Sequence, residues 1–398
     1  MTTPPLHGLL VLDLSTIVSG GTTTAVLADF GARVIKVEQP RAGDPLRAWG
    51  PVKDGVSLWW KVLSRNKESI TLDLRAARGQ ALLRALAARA DILVENFRPG
   101  TLERWGLGPD VLEAVNPRLV LVRISGFGQT GPYRDRPGFG TIAEAMSGYV
   151  ASSGFPDGPP LLPPMPLADA VCGLLGAAAA LAAIHHRDHG DGRGQVIDLS
   201  LYEPLFRLLI PMVPQYVLLG EVAQRSGNRF PGAAPRNLYQ AGDGAWVAVS
   251  ATSQRTFERL AQAMDRPDLP TDPRFATNAA RIAHVDALDA IIQEWMRARP
   301  LEEVLRRLAD AGAVAGPVYD ARRILEDPHY RARDDIITVA DDELGAVPMP
   351  AVIPRFSRTP GQVAFAGPPL GAHNDAVYGG LLGLSREEIA RLRQEGVI

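Results

Sequence analysis

Short aliphatic runs alternate with helical patterns through the first half of the chain: "GLLVLDL", "TTTAVLADFG", "RVIKVEQ", "SITLDL", "GQALLRALAARA", "DILVENF" and "RLVLVRIS". Strands that read as nearly unbroken apolar runs are buried on both faces, and a helix between each pair returns the chain so that the next strand runs parallel. The alternation therefore predicts an α/β fold with a Rossmann-like parallel sheet. Several runs end on an acidic or amide side chain, Glu38 and Asn96 among them. Open sheets of this kind bind ligands beyond the carboxyl ends of their strands, so the site is expected there.

The punctuation divides the rest. Residues 1–200 read as the first part of a large α/β domain, and 201–224, with Pro204, Pro211 and Pro214, as a connector. The loop "RSGNRFPGAAP", the strand "AWVAVSA" and three amphipathic helices make 225–328 a smaller α+β domain. The final part, 329–398, carries a hairpin pattern in "DIITVADDELGAVPMPAVIPRF" and a helix opened by Ser385 with Glu388 three residues on, and is expected to rejoin the large domain.

Composition removes several classes of function. The 42 basic and 44 acidic residues, net charge −2, are scattered and form no basic stripe, so nucleic acid is not an expected partner. A single cysteine, Cys172, excludes disulfide frameworks and multi-cysteine metal sites, and with no secretory leader in "MTTPPLHGLLVLDLS" points to the cytoplasm. The apolar run from Ala170 to Ile184 falls short of the ~20 residues of a bilayer span and is read as a buried helix, so no membrane partner is expected.

Three motifs have competing readings. "SGFGQTG" spells a dinucleotide fingerprint, but "PYRDRP" follows it where a helix should begin, which argues against a nicotinamide or flavin. His185, His186 and His189 lack the His-Glu-x-x-His pattern of catalytic zinc helices and read as residues favoured at a helix C-terminus, with Gly190 as the stop. Asp169, at the mouth of the apolar run, is either an N-cap or an ionised carboxylate aimed into a cleft, able to act as a nucleophile.

Taken together, "VLDLSTIVSGG", "LADFGARVIKVEQPRAGDPLRAWG", "NKESITLDLR", "ADILVENFRPGTLERWG", "SGFGQTGPY", "LADAVCG", "GRGQVIDLSLYE" and "LGAHNDAVYGGLLGLSREEIARLRQEGVI" resemble the class III CoA-transferase family, which includes formyl-CoA, carnitine and bile-acid CoA-transferases. The resemblance implies an enzyme whose aspartate, here Asp169, attacks an acyl-CoA and becomes an aspartyl-CoA thioester, with no metal. It implies coenzyme A contacts at Thr16, Ile17, Val18, Leu72, Arg75, Asn96, Phe97 and Arg104, and an interlocked homodimer. Succinyl-CoA is the expected donor. A short dicarboxylate is the expected acceptor, because Arg47, Arg134, Arg136, Arg229 and Arg236 in predicted loops could bind a distal carboxylate. Oxyanion donors are expected in the loops after Leu14 and around Gly126.

The chain departs from family patterns at two loops. Val18 stands where formyl-CoA transferase has glutamine, and "RSGNRFPGAAP" lacks a glycine run similar to the lid of the formyl/oxalyl enzymes, which disfavours oxalate. The α-methylacyl-CoA racemase type is one alternative. It pairs the aspartate with a histidine at the position of Phe139, and losing one of two bases would disable racemisation. A non-catalytic acyl-CoA-binding protein is the other, prompted by Val18 and Gly140.

Overall fold

A computed structural model describes residues 3–398. Two compact units emerge. The first comprises the residues up to Tyr149, Leu162–Pro211 and Tyr330–Ile398; the second comprises Val150–Leu161 and Met212–His329. Residues 150–161 and 212–224 thus belong to the second unit, where the sequence reading had placed a piece of the large domain and a connector.

The first unit is built on six strands, β1 (Leu10–Asp13), β2 (Arg33–Glu38), β3 (Lys67–Thr71), β4 (Ile92–Glu95), β5 (Val120–Ser125) and β6 (Val196–Ser200). All neighbours pair in parallel, in the order β3-β2-β1-β4-β5-β6. This is the doubly wound order, and it reverses direction between β1 and β4, where two diverging loops open a crevice.

The two-residue period of the strands sorts their side chains onto two cores. Leu10, Leu12, Ile35 and Ile70 face one way and are buried with Leu83 and Leu86 of α2 (Ala77–Ala87). Val377, Tyr378, Ile389, Leu392 and Ile398 complete that layer, so the last part of the chain rejoins the sheet. There Asn374 clamps β3: its Oδ1 accepts the Thr71 N–H at 2.9 Å, its Nδ2 donates to Thr71 Oγ1 at 2.8 Å, and Tyr378 Oη donates to the Thr71 carbonyl. The terminal helix carries the capping box of Ser385 and Glu388, and the hairpin pairs Ile336–Asp341 with Gly345–Pro350.

On the other face Val11, Val34, Ile92, Val94 and Val122 pack under two helices, α1 (Ser19–Asp29) and, further along, the apolar helix Leu167–His189. Small residues let these helices approach closely. A Cβ on Gly173 would lie 2.5 Å from Thr22 Cβ, one on Gly176 would lie 2.6 Å from Thr23 Oγ1, and Thr23 Oγ1 donates to the Gly173 carbonyl at 3.0 Å. The apolar helix runs 23 residues, longer than the sequence run suggested, and by length and composition alone it could cross a bilayer. It continues past Ile184 because Arg187 is buried in ion pairs with Asp91 and Asp188. Ahead of it comes α3 (Gly140–Met146), which gives the apolar helix the label α4; α5 (Tyr202–Leu208) follows.

The second unit has a three-stranded antiparallel sheet of Arg236–Gln240, Trp246–Ser250 and Ala315–Pro317. Helices Gln254–Ala263, Val285–Arg297 and Leu301–Asp310 bury Phe257, Ile292, Met296 and Val304 together with Val247 and Val249 of that sheet.

Candidate active site

The crevice between β1 and β4 is shaped by one asparagine. Asn96, just past β4, accepts the Thr16 N–H on Oδ1 and donates from Nδ2 to the Thr16 carbonyl, both at 2.8 Å. The two loops are thereby joined as if by a short strand pair. Ile17 then adopts φ +65°, a left-handed conformation that costs a β-branched residue about 1–2 kcal/mol. Asp44 holds it there by accepting the Ile17 N–H at 3.1 Å.

Beneath the loop lies a buried ionic cluster. Asp13 is fully buried and accepts from the Ser15 N–H at 3.0 Å, from Ser15 Oγ and Thr24 Oγ1 at 2.6 Å each, and from Lys67 Nζ at 3.1 Å. Lys36 lies 3.6 Å from Asp13 and 3.1 Å from Asp44, and donates to the Ser15 carbonyl. Burial works against the Asp13 anion, but Lys36, Lys67 and the two hydroxyls outweigh it and bring its pKa down to about 2. Burial of Lys36 is likewise outweighed by Asp13 and Asp44, which raise its pKa, whereas burial dominates at Lys67 and lowers its pKa.

Two hollows meet above this floor. One, of about 430 Å³, is lined by Leu14, Thr16, Leu72, Arg75, Phe97 and Trp105 among others. Trp105 stacks edge-on against Phe97 with centroids 5.1 Å apart, and Arg75 is paired with Asp73 at 2.9 Å. The other, of about 640 Å³, is lined by Thr16, Ile17, Ser19, Asn96, Phe139, Gly140, Glu144 and Asp169, with Trp49 on its wall. Thr16 lines both, so the two hollows adjoin at this residue and together form a trough at the carboxyl edge of the sheet.

Asp169 is the third residue of α4. The N-cap is Pro166, with no side-chain cap, and Asp169 Oδ2 lies against Gly140, where any Cβ would overlap it. Burial, reinforced by the neighbouring Glu144 carboxylate, pushes the Asp169 pKa up to about 6. Three residues on, Cys172 is buried and its thiol is pushed far up by burial, so it stays protonated.

Six of the eight residues expected to contact coenzyme A line the trough: Thr16, Ile17, Leu72, Arg75, Asn96 and Phe97. Val18 does not; it is buried at the start of α1. Nor does Arg104, which is exposed and donates to Thr101 Oγ1 at 2.8 Å. None of the five expected arginines lines the Asp169 cavity. Arg47 is committed to Glu38, Arg229 to Asp286 and Asp289, Arg134 to Asp135, Arg236 to the Asn228 carbonyl, and Arg136 lies over the Tyr133 ring. The Thr16 and Ile17 amides are occupied by Asn96 and Asp44, which removes them from the expected oxyanion donors.

The "SGFGQTG" loop is held by Asp198, which accepts the Gln129 N–H at 2.9 Å, and the next helix after it starts only at Gly140. Among the described residues no group of three or more His, Cys, Asp or Glu is placed to hold a metal ion. Sequence reasoning missed Lys36, Asp44, Glu144, Trp49 and Trp105. The lysine had a readable signal: a charge in mid-run of "RVIKVEQ", on a strand that a parallel sheet buries on both faces, needs a buried partner.

A sequence model of CoA-transferase family III matches residues 6–374. The chain belongs to this family and is an enzyme of the class III CoA-transferase type. It is 47% identical to a succinyl-CoA–D-citramalate CoA-transferase of Chloroflexus aurantiacus over 99% of this chain and 98% of the relative. It is 42% identical to the beta subunit of a succinyl-CoA–L-malate CoA-transferase of that organism, over 100% of this chain and 99% of the relative. Among solved structures, a CAIB/BAIF family protein from Brucella suis matches with a TM-score of 0.85 and 34% identity, covering 96% of this chain and 100% of that one.

Proposed function

We propose that the protein moves CoA from succinyl-CoA to a short dicarboxylate through an aspartyl-CoA thioester at Asp169. The observation that carries this reading is the Asp169 carboxylate lining a cavity that shares Thr16 with an apolar hollow fit for the nucleotide end of CoA. In that hollow Leu72, Phe97 and Trp105 offer faces to adenine, and Arg75 offers a cation to a phosphate.

The chemistry needs no net proton. An Asp169 oxygen attacks the thioester carbonyl, the C–S bond breaks, and a mixed anhydride forms with release of CoA thiolate. The thiolate attacks the Asp169 carbonyl of the anhydride, expelling succinate and leaving aspartyl-CoA. The acceptor carboxylate repeats the exchange, so that its own acyl-CoA departs and Asp169 is regenerated. Donor, aspartyl-CoA and product are all thioesters, so the exchange between them is nearly balanced, and the more reactive anhydrides are short-lived intermediates that split one hard transfer into easier steps.

The choice of a dicarboxylate rests on the relatives, which act on succinyl-CoA with citramalate or malate, because the Asp169 cavity itself has no basic side chain. No histidine lines the cavity either, and Phe139 supplies no base there, which leaves the racemase reading without support. Wild type and Asp169→Ala, incubated with succinyl-CoA and hydroxylamine and then peptide-mapped, test the reading. Wild type should give a CoA adduct and a hydroxamate at Asp169, and the variant neither; an adduct that survives the substitution would refute the nucleophile. Faster turnover with a monocarboxylate than with malate or citramalate would refute the acceptor class.

We also infer a homodimer. Helix Met212–Leu219 buries none of its residues, with Val217, Leu218 and Leu219 exposed by 70%, 78% and 67%. A monomer rarely leaves such an apolar face uncovered. Light scattering should give twice the chain mass, and a monomer at working concentration would overturn the inference.

A further inference from the structure

We propose that the Gly140–Glu144 edge of α3 is the positioning element of the nucleophile, Gly140 by leaving room for its carboxylate and Glu144 by anchoring the start of α4 and presenting a second negative charge. The proposal rests on Asp169 being the nucleophile. Gly140 and Glu144 are four residues apart and so share one face of α3. Both line the cavity of Asp169, and α4 begins against that face.

Gly140 acts by absence. The atom a methyl group there would displace is Oδ2 of Asp169, the end of a flexible side chain, not backbone. Nothing else about the position demands glycine: its φ lies outside the left-handed region, and it opens a helix, where alanine is the better residue. The fold should therefore accept Gly140→Ala readily while the carboxylate is turned from its place. A reacting group misplaced by an ångström can cost about 100-fold in rate.

Glu144 acts in two separable ways. Its side chain is 3% exposed, and Oε1 accepts the Ala168 N–H at 3.2 Å, one of the first-turn amides that α4 cannot satisfy itself. Pro166 supplies no side-chain cap, so a carboxylate from another helix does that work, immediately before the nucleophile. Its charge also adds to burial in raising the Asp169 pKa to about 6. The other titratable groups nearby do not offset this. Cys172 on α4 is a protonated thiol, and Glu203 of α5, which adds to the rise of that thiol, is another anion. No cation lines the cavity. A carboxylate of higher pKa is the stronger nucleophile once ionised, and at pH 7 and above Asp169 is mostly ionised.

Four proteins are compared: wild type, Asp169→Ala, Gly140→Ala and Glu144→Gln. The readouts are CoA affinity, thermal midpoint, hydroxamate trapping at residue 169 and the pH dependence of adduct formation. Gly140→Ala should bind CoA as wild type does, melt no lower, and form the adduct about 100-fold more slowly. In Glu144→Gln the amide oxygen can still accept the Ala168 N–H and only the charge is lost, so the acid limb of the rate profile should move down by about half a pH unit or more. Wild-type adduct formation in Gly140→Ala, or an unmoved limb in Glu144→Gln, would overturn the proposal provided Asp169→Ala forms no adduct. An adduct in Asp169→Ala would instead overturn the nucleophile itself.

Discussion

Asp13→Ala is expected to cost about 3–5 kcal/mol, a large share of the roughly 5–15 kcal/mol that holds a native protein folded. The loss comes from what is left behind. Lys67 would keep as hydrogen-bond partner only the Gly21 carbonyl, 2.8 Å from Nζ, and would become a buried cation without a directly paired anion, while Lys36 would keep Asp44. The Ser15 amide and hydroxyl would also lose their acceptor, while the Thr24 hydroxyl would fall back on the Gly20 carbonyl at 3.1 Å. Removing both sides of the pair should hurt less, because a buried ion pair replaced by apolar groups of similar volume is often near neutral. Asp13→Leu with Lys67→Met should therefore recover part of the loss suffered by Asp13→Ala. Urea unfolding at pH 7 measures both, and a loss under about 1 kcal/mol for the single variant would sink the argument. The same group sets an acid limit. The Asp13 pKa is lowered in the fold, from 3.8 to about 2, so its contribution is present above pH 4 and is lost as the pH falls toward 2. That fall corresponds to about 2–3 kcal/mol.

The ionic cluster also shows why the sequence disclosed the sheet more readily than the site. Runs such as "DILVENF" and "RLVLVRIS" mark strands because burial on both faces leaves little else to write there, and Ser385 with Glu388 marks a helix start because the two residues bond to each other locally. Strand order is not local. The neighbouring of β1 and β4 brings Thr16 to Asn96 across 80 positions, and only that adjacency makes Asn96 a clamp. Arg236–Gln240 was missed because its alternating polar residues suit a half-exposed edge strand with no aliphatic run to announce it. Asp169 could be found by motif, whereas Gly140 and Glu144 owe their place to the approach of α3 to α4. The arginines show what sequence leaves open: Glu38, Asp135, Asp286 and Asp289 pair with three of them, partners that for Arg47 and Arg229 sit away from the arginine in the chain and that no local pattern there announces.

Asp169→Asn is expected to be more stable than wild type at pH 8 by about 2–3 kcal/mol at most, while losing acyl transfer. The sign follows from the direction of the shift. Folding raises the Asp169 pKa from 3.8 to about 6, so the native state disfavours the anion; this group's contribution is favourable below pH 4 and is lost as the pH rises through 6. An amide never ionises and escapes that loss, so the difference between variant and wild type should shrink toward zero near pH 4. Water reaching the half-buried carboxyl reduces the figure. Urea midpoints for both proteins at pH 8 and pH 4 read the difference directly, and a variant less stable than wild type at pH 8 would overturn it. In the proposed mechanism the free energy that destabilises the anion would also drive it to react, because acylation would discharge the carboxylate. A wild-type enzyme held as the neutral aspartyl-CoA thioester should therefore regain, at pH 8, a stability close to that of the asparagine variant, in addition to whatever the bound CoA contributes.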